Sequence, residues 1–517
     1  MTPAGLDPRT PVLVGVGQSS ERIDSPGYRG LSPVELAAAA AREALADTGA
    51  RPEAVAAAID TVAGVRQFEI SSPGARAPLG RSDNYPRSVA GRIGAAPRRA
   101  VLEVVGGQSP QHLVTEFAAT IAAGGAEVVL LFGSEAISTA RHLSGAEGRP
   151  DFTEQADGDL EDRGYALDGL FPPHAGDHGI TGAPEMYALF ENARRARLGL
   201  PRAEYDRAMG ELFAPFTRVA ARNPHAAAPV ERDALELVTP TAANRPIADP
   251  YPRYLVSRDQ VNQGAAVLLT SAGAARRLGV PEERWVFLHG HADLRERDPL
   301  DRADLGGYPA AVLAARHALE VAGVGVDDVA TFDLYSCFPV AVSTVADGLG
   351  LAADDPRGLT LTGGLPFFGG AGNNYSMHAI AETVQRARSA PGTHGFVGAN
   401  GGMLSKYSAG VYATTPVAWR PDRSRDLQAQ VDAWPAPPRA ERADGTGTVE
   451  TWTVKHGRAG ERTGIVVGRL DDGRRFLART EDGDDELVEL LAAGEPFGQP
   501  VGVRSTDRGN RVGVGGA

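Results

Sequence analysis

Residues Pro309–Phe338 read PAAVLAARHALEVAGVGVDDVATFDLYSCF. An alanine-rich helix, a glycine turn, a short acidic helix start and an apolar strand follow in that order. The same order occurs near the start of the chain. There PVELAAAAAREALADTGA follows Ser32, TGARPEAVAAAID supplies the turn, and the strand falls at Ile59–Val65. Ser32 suits the N-cap of that helix, Pro33 its first position and Gly49 its end. A strand precedes each copy, PVLVGVGQ at Pro11–Gln18 and VFLHGHA at Val286–Ala292, an offset of roughly 270–280 residues. A supersecondary unit repeated in this way predicts a duplicated α/β protein.

Each copy continues with a second strand–helix unit. In the first, AVLEVVGGQSP leads into QHLVTEFAATIAAGG and the strand EVVLLFGSE (Glu127–Glu135). In the second, GGLPFFGGAGNN leads into YSMHAIAETVQRAR and the strand HGFVGANGG. DQVNQGAAVLLTSAGAARRLG (Asp259–Gly279) reads as a strand and helix closing the first half. The N-terminal half therefore comprises 1–135 and 245–280, with an insertion at 136–244 rich in Arg, His and Pro. The C-terminal half comprises 281–420. A linker at 421–447 contains the Pro/Gly/charged stretch DAWPAPPRAERADGTG. Residues 448–517 alternate in short runs between Gly and Asp turns, which predicts a small antiparallel sheet or barrel, separable from the core at the linker.

Composition narrows the function classes. The 517 residues carry a formal net charge of -13, which gives no electrostatic reason to expect a nucleic-acid partner. No apolar run approaches the ~20 residues of a spanning helix, and the first residues lack a basic segment followed by a long apolar one. One cysteine, Cys337, excludes an internal disulfide framework and fits a reducing compartment, so a cytoplasmic protein is expected. Lys406 and Lys455 are the only lysines beside a large excess of arginine.

At this point five motifs, in order, resemble the thiolase family, in its sterol-carrier-protein-thiolase-related, thiolase-like branch with an additional C-terminal domain. NQGAAVLLTS is similar to that family's DGAAAVVLTS. VVGGQSPQ stands where its nucleophile loop C-G-S-G-x-Q would be, and DLYSCF where H-D-C-F is found. GGLPFFGGAG stands for GGxxxxGHPxG and GANGGM for CxGGG. The resemblance spans about Pro11 to Pro416, and the tail resembles the extra domain, OB-like in type. It implies a duplicated thiolase-like α/β/α/β/α layered core plus a small C-terminal β (barrel/OB-like) domain. It also implies a coenzyme A thioester as substrate or ligand, no tightly bound cofactor, and a core that usually dimerises; the added domain, which could block or replace that contact, leaves a monomer open.

Thiolases use a Cys nucleophile, an activating His, a second Cys and an oxyanion hole. Carried over position by position, these side chains are missing. Gly106 stands for the nucleophile, Tyr335 for the His and Ser336 for the residue after it. Gly370 stands for the GHP histidine, and Ala399 or Asn400 for the second Cys. What remains is the backbone of Gly106-Gly107, either an oxyanion cradle ahead of a helix or simply a tight turn. Cys337 is either a displaced nucleophile or a small buried apolar residue; it matches the non-nucleophilic Cys of H-D-C-F, which favours the second.

Other residues offer polar chemistry. Asn373, Asn374 and His378 sit at the start of a helix, where the dipole would keep His378 neutral as an acid/base. The plainer alternative is an Asn cap with His378 on the packed face. In NGGMLSKYSAG, Asn400 could donate to a carbonyl, Gly401-Gly402 free the backbone, and Lys406 and Ser408 add a cation and a hydroxyl. A loop lysine in a salt bridge is the alternative there. The candidate catalytic residues are therefore His378, Asn400, Tyr335 and Lys406. The candidate ligand-binding residues are Gly106, Gly107, Ser336, Asn373, Asn374, Gly401, Gly402 and Ser408. GVGQSS lacks the third glycine and prompt helix of a dinucleotide site, and HAGDH (His174, Asp177, His178) has no third cluster, so no metal is expected. Two functions follow. One is an acyltransferase, acetyl-CoA acetyltransferase-like, that acts without a Cys intermediate. The other is a non-catalytic acyl-CoA- or lipid-binding or partner-docking protein.

Overall fold

The computed structural model describes residues 5–514. Its strands in chain order are β1 (Pro11–Ser20), β2 (Thr61–Gly64), β3 (Arg99–Leu102), β4 (Val128–Ala136), β5 (Glu161–Asp162), β6 (Pro246–Ala248), β7 (Tyr251–Pro252) and β8 (Asn262–Ser271). The second half adds β9 (Phe287–Arg295), β10 (Val329–Leu334), β11 (His394–Gly401) and β12 (Lys406–Ala413). Two sheets form, in the orders β1-β8-β4-β2-β3-β5 and β10-β11-β12-β9. Read from its first strand, each follows one plan: β1-β8-β4-β2 corresponds to β9-β12-β11-β10. In both, two antiparallel pairs precede a parallel one. The duplication legible in the sequence is therefore a duplication of strand order, with β3 and β5 extending the first sheet alone.

The glycines of the opening strands are packing devices. A Cβ at Gly15 or Gly17 of β1 would overlap the carbonyl oxygens of Ala44 or Ala40 in the helix Pro33–Asp47. A Cβ at Gly290 of β9 would overlap that of Ala318 in the helix Pro309–Ala322. These glycines thus let an alanine-rich helix press on a strand, at equivalent places in both halves. Ser32 caps the first of these helices as expected: the Glu35 N–H donates to Ser32 Oγ (3.2 Å) and the Ser32 N–H to Glu35 Oε2 (2.8 Å).

Between the sheets lie the helices Ser109–Ala122 and Tyr375–Ser389. Leu113, Val114 and Phe117 of one and Met377, Ile380 and Val384 of the other share a buried cluster with Leu131, Val397 and Tyr412. Helices outside, sheets, and helices between give the α/β/α/β/α layering.

The tail forms β13 (Gly445–His456), β14 (Arg462–Leu470), β15 (Arg475–Thr480), β16 (Pro500–Thr506) and β17 (Gly509–Val514). They close as a five-stranded barrel in the order β13-β14-β15-β17-β16, all antiparallel except β15–β17. Three expectations change. The segment read as linker holds a helix, Ser424–Asp432, and the barrel begins at Gly445. The β6–β7 hairpin, assigned to the first half, extends the barrel sheet through the Ala248–Lys455 pairing. The barrel also shares an interior with the core: Ile465, Val467 and Leu477 belong to the same buried cluster as Leu189, Phe190 and Leu300. Fully buried Arg475 donates to the carbonyls of Leu300 (2.9 Å) and Arg302 (2.5 Å). Asn192 Nδ2 donates to that of Trp452 (2.9 Å). His178 of HAGDH is another pin of this junction, because its Nε2 accepts the Asn510 N–H (3.0 Å). Proline and glycine report stiffness and turns in the connecting chain, not what the next segment packs against. Among the described residues no helix is long and apolar enough to cross a membrane.

Candidate functional site

A cavity of about 1000 Å³ opens where the ends of the two halves, the insertion and the barrel meet. Its floor is formed by Gly106, Gly107, Tyr335, Cys337, Asn373 and Asn400. Leu167, Leu170, Phe171, Tyr187, Val256 and Phe338 give it apolar walls, while Arg141, Arg245, Arg253 and Arg458 stand around it with Asp259. Arg141, Arg253 and Arg458 are exposed, so they mark its mouth. Arg458 comes from the barrel, in the hairpin just after the β13 residue that pairs with β6.

Two loops, each feeding one of the central helices, meet at the floor. Gly106 has a φ of +142°, and its N–H donates to Asn373 Oδ1 (3.0 Å). Asn373 Nδ2 donates to the Arg66 carbonyl (2.7 Å) and Ser71 Oγ (3.0 Å). Ser376 Oγ donates to the Gly107 carbonyl (2.7 Å). The amide at the position matching the thiolase nucleophile is thus already satisfied from within the chain. Among the described residues the Gly107 N–H has no acceptor.

The volumes that side chains would fill here are taken. A Cβ on Gly107 would overlap the Tyr335 hydroxyl and stand 2.5 Å from the Asn400 carbonyl oxygen. A Cβ on Gly106 or on Gly401 would overlap Gln108 Oε1, a buried oxygen with no hydrogen-bond partner. Tyr335 and Gln108 therefore occupy the space of a nucleophile and its neighbours. Burial holds the Tyr335 phenol protonated, far above its usual range.

The remaining candidates divide. Asn400 lines the cavity, but its amide is engaged: Tyr308 OH donates to Oδ1 (3.1 Å), and Nδ2 donates to Tyr187 OH (2.9 Å) and to Cys337 Sγ (3.8 Å). The Tyr187 hydroxyl in turn donates to the Gly402 carbonyl (2.8 Å), and its ring stacks on Phe338 at 4.3 Å. Burial pushes the Cys337 thiol up to about 12, partly offset by neighbouring donors such as the Asn400 amide. His378, expected at the site, does not line the cavity. It is fully buried, donates from Nδ1 to Gln18 Oε1 (2.7 Å), and packs on Phe368. Burial first, then His225, lower its pKa to about 3.

Lys406 lies behind the floor, with Nζ donating to the carbonyls of Val105 (3.0 Å) and Ala166 (2.9 Å). Burial, then the nearby Arg295, lower its pKa to about 8. It braces the Gly106 loop and, among the described residues, forms no salt bridge. Ser408 donates to Asp293, Ser336 accepts the Leu365 N–H (3.2 Å), and Asn374 is buried beside Gly133 with both side-chain polar atoms unpartnered. None of these three reaches the cavity. Gly402, with φ of +66°, and Gly370 do line it.

Sequence reading missed Gln108, Tyr187 and Tyr308: the hydrogen-bond partners of the two tyrosines lie far along the chain, as does Gly401, against which Gln108 packs. A Gln beside a glycine pair is the one local signal, since only glycine leaves space for a neighbour's side chain. Away from the cavity, Glu103, His112 and Glu116 bring ligand atoms within 4.8 Å of one another. Arg163 bridges both carboxylates at 2.6 Å and supplies the cation there itself. Burial opposes protonation of His112, but Asp293, Glu103 and Glu116 outweigh it and raise its pKa to about 9.

The comparisons agree with this geometry. Residues 426–508 match the family described as the thiolase-like protein type 1 additional C-terminal domain. No curated protein sequence matches the chain. Among solved structures, a monomeric SCP2-thiolase-like protein type 1 from Mycobacterium smegmatis is 53% identical with a TM-score of 0.85, covering 99% of this chain and 100% of that one. The dimeric peroxisomal thiolase of Saccharomyces cerevisiae (15% identity, TM-score 0.54, 79% and 98% covered) shares the fold. So does an acetyl-CoA acetyltransferase from Syntrophomonas wolfei (17%, TM-score 0.52, 78% and 99% covered). With a relative so similar over its whole length, the chain belongs to the SCP2-thiolase-like proteins of type 1.

Proposed function

We propose that the chain binds an acyl-coenzyme A thioester without forming a covalent bond to it. The carrying observation is the polarity of the cavity: apolar walls suited to an acyl chain, and arginines at the mouth suited to phosphates. The side chains that would make this an acyltransferase are otherwise engaged or remote. Cys337 is held as a thiol and His378 faces away from the cavity. Lys406 is tied to backbone carbonyls, and the Asn400 amide is bound to two tyrosines. The Gly107 N–H is best placed to donate to a thioester oxygen, and a single donor is a sparse oxyanion site. The M. smegmatis relative is described as monomeric. We extend that state to this chain, to be checked by light scattering.

Calorimetry with acetyl- and longer acyl-coenzyme A thioesters, followed by an acyl-transfer assay, tests the reading. The expected result is saturable binding, no adduct mass on Cys337, and unchanged binding in Cys337→Ala. Turnover in the wild type, lost in Asn400→Ala with binding retained, would favour the acyltransferase. Absence of binding across chain lengths would remove both readings.

A further inference from the structure

A smaller cleft of about 110 Å³ adjoins the main cavity along Ile247, Val256 and Gln260. Three guanidinium groups line it: those of Arg232, Arg253 and Arg258. Arg232 is ion-paired with Glu236 and stacked over the Tyr254 ring at 4.0 Å. Among the described residues neither Arg253 nor Arg258 has a side-chain hydrogen bond or ion pair, and the Arg258 Nε is buried without a partner. Among the described residues one carboxylate lines the cleft, Asp259, and it is paired with Arg141 at 2.6 Å. Two cations are left uncompensated in a protein whose net charge is -13. Burial, then repulsion from Arg253 and Arg232, already weakens the hold of Arg258 on its proton. A buried guanidinium N–H with no acceptor is costly, and an anion that accepts from it relieves that cost.

We infer that this cleft is a phosphate site, with Arg253 and Arg258 donating to the anion's oxygens and Ser257 and Gln260 at its edge. The volume suits a tetrahedral anion, being several times the ~10–15 Å³ of open space that one buried water needs. The cleft joins the cavity, so the phosphate is either free or carried by the ligand proposed above; the inference stands without that ligand.

The test is calorimetry of the full chain with inorganic phosphate at low ionic strength. Saturable one-site binding is expected, weakened about tenfold or more in Arg253→Gln and in Arg258→Gln. Arg253 is exposed, so its variant is expected to fold even if the Arg258 variant does not. No saturable binding by the wild type, or equal affinity in Arg253→Gln, would overturn the inference. Repeating the titration with an acyl-coenzyme A present separates the two sources. Displacement of phosphate assigns the group to the cavity ligand, and simultaneous binding assigns a separate anion; either outcome supports the site. If the acyl-coenzyme A itself does not bind, the functional proposal fails while the phosphate result stands.

Discussion

The loops Gly106–Gln108 and Gly372–Asn374 stand at equivalent places in the two halves, each leading into a central helix, yet they are built in opposite ways. Both bend through a glycine of positive φ, +142° at Gly106 and +53° at Gly372. The first loop has almost no side chain facing the cavity, and the volumes beside its glycines are filled by Tyr335 and Gln108. The second carries Asn373, which bonds both to its own surroundings and to the first loop's Gly106 N–H. The duplication thus lets one half close the other's site. A side chain that a thiolase would use for chemistry is replaced here by packing and hydrogen bonds drawn from the opposite half.

The largest effect that would test this comparison is at Gly107. Gly107→Ala must displace the Tyr335 hydroxyl or the Asn400 carbonyl, and a loss of about 3 kcal/mol or more in urea unfolding is expected. Adding Tyr335→Ala should recover part of it. If Gly107→Ala alone is neutral, Tyr335 does not fill that space.

Asn373→Ala comes next. It leaves the Gly106 N–H and the Arg66 carbonyl without their partner, at about 2–3 kcal/mol by the same measurement. Its neighbour Asn374 has no partners to lose, so Asn374→Ala should stay within about 1 kcal/mol. Equal costs for the two would break the contrast between a bridging and a buried, unpaired asparagine.

The smallest effect at neutral pH concerns His378 on the second helix. Its folded pKa of about 3 lies below the usual value, so the unfolded chain takes up a proton that the native state refuses. Stability is therefore lost as pH falls from about 6.5 toward 3 and is unaffected above that window. His378→Gln should flatten this part of the stability–pH curve, and the imidazole NMR signal should not titrate above pH ~4. A midpoint near 6.5 would show that the ring is hydrated. Alkylation of Cys337 by iodoacetamide should likewise stay slow at pH 8 and rise only as pH approaches 12, because the thiolate is the reactive form.

Much of the fold could be read from residue order. Helix caps, alanine-rich faces and strand runs depend on neighbours a few positions apart. That is why Ser32 at its cap, the two opening strands and their helices appeared where expected. The family motifs located Gly106, Tyr335 and Asn400, and the polar helix start located Asn373; all four reach the cavity floor. The same reading failed for His378, Lys406, Ser336, Asn374 and Ser408. Each lies on an element correctly placed in sequence, but its side chain points into packing or toward backbone carbonyls. Chemical type near a motif says what a residue can do, while its rotation about helix or strand decides whether a ligand can meet it.

By itself, then, the sequence determined that the core is duplicated, that a small β domain follows it, and that the thiolase nucleophile and activating histidine are missing from their motifs, because Gly106 and Tyr335 stand in their places. Only the tertiary structure decided what fills the vacated positions, that the barrel shares the core's interior, and that Arg458 and the β6–β7 hairpin reach one mouth. These are contacts between residues up to hundreds of positions apart. Their free energies depend on shape and desolvation at the meeting surfaces, and local sequence does not encode those.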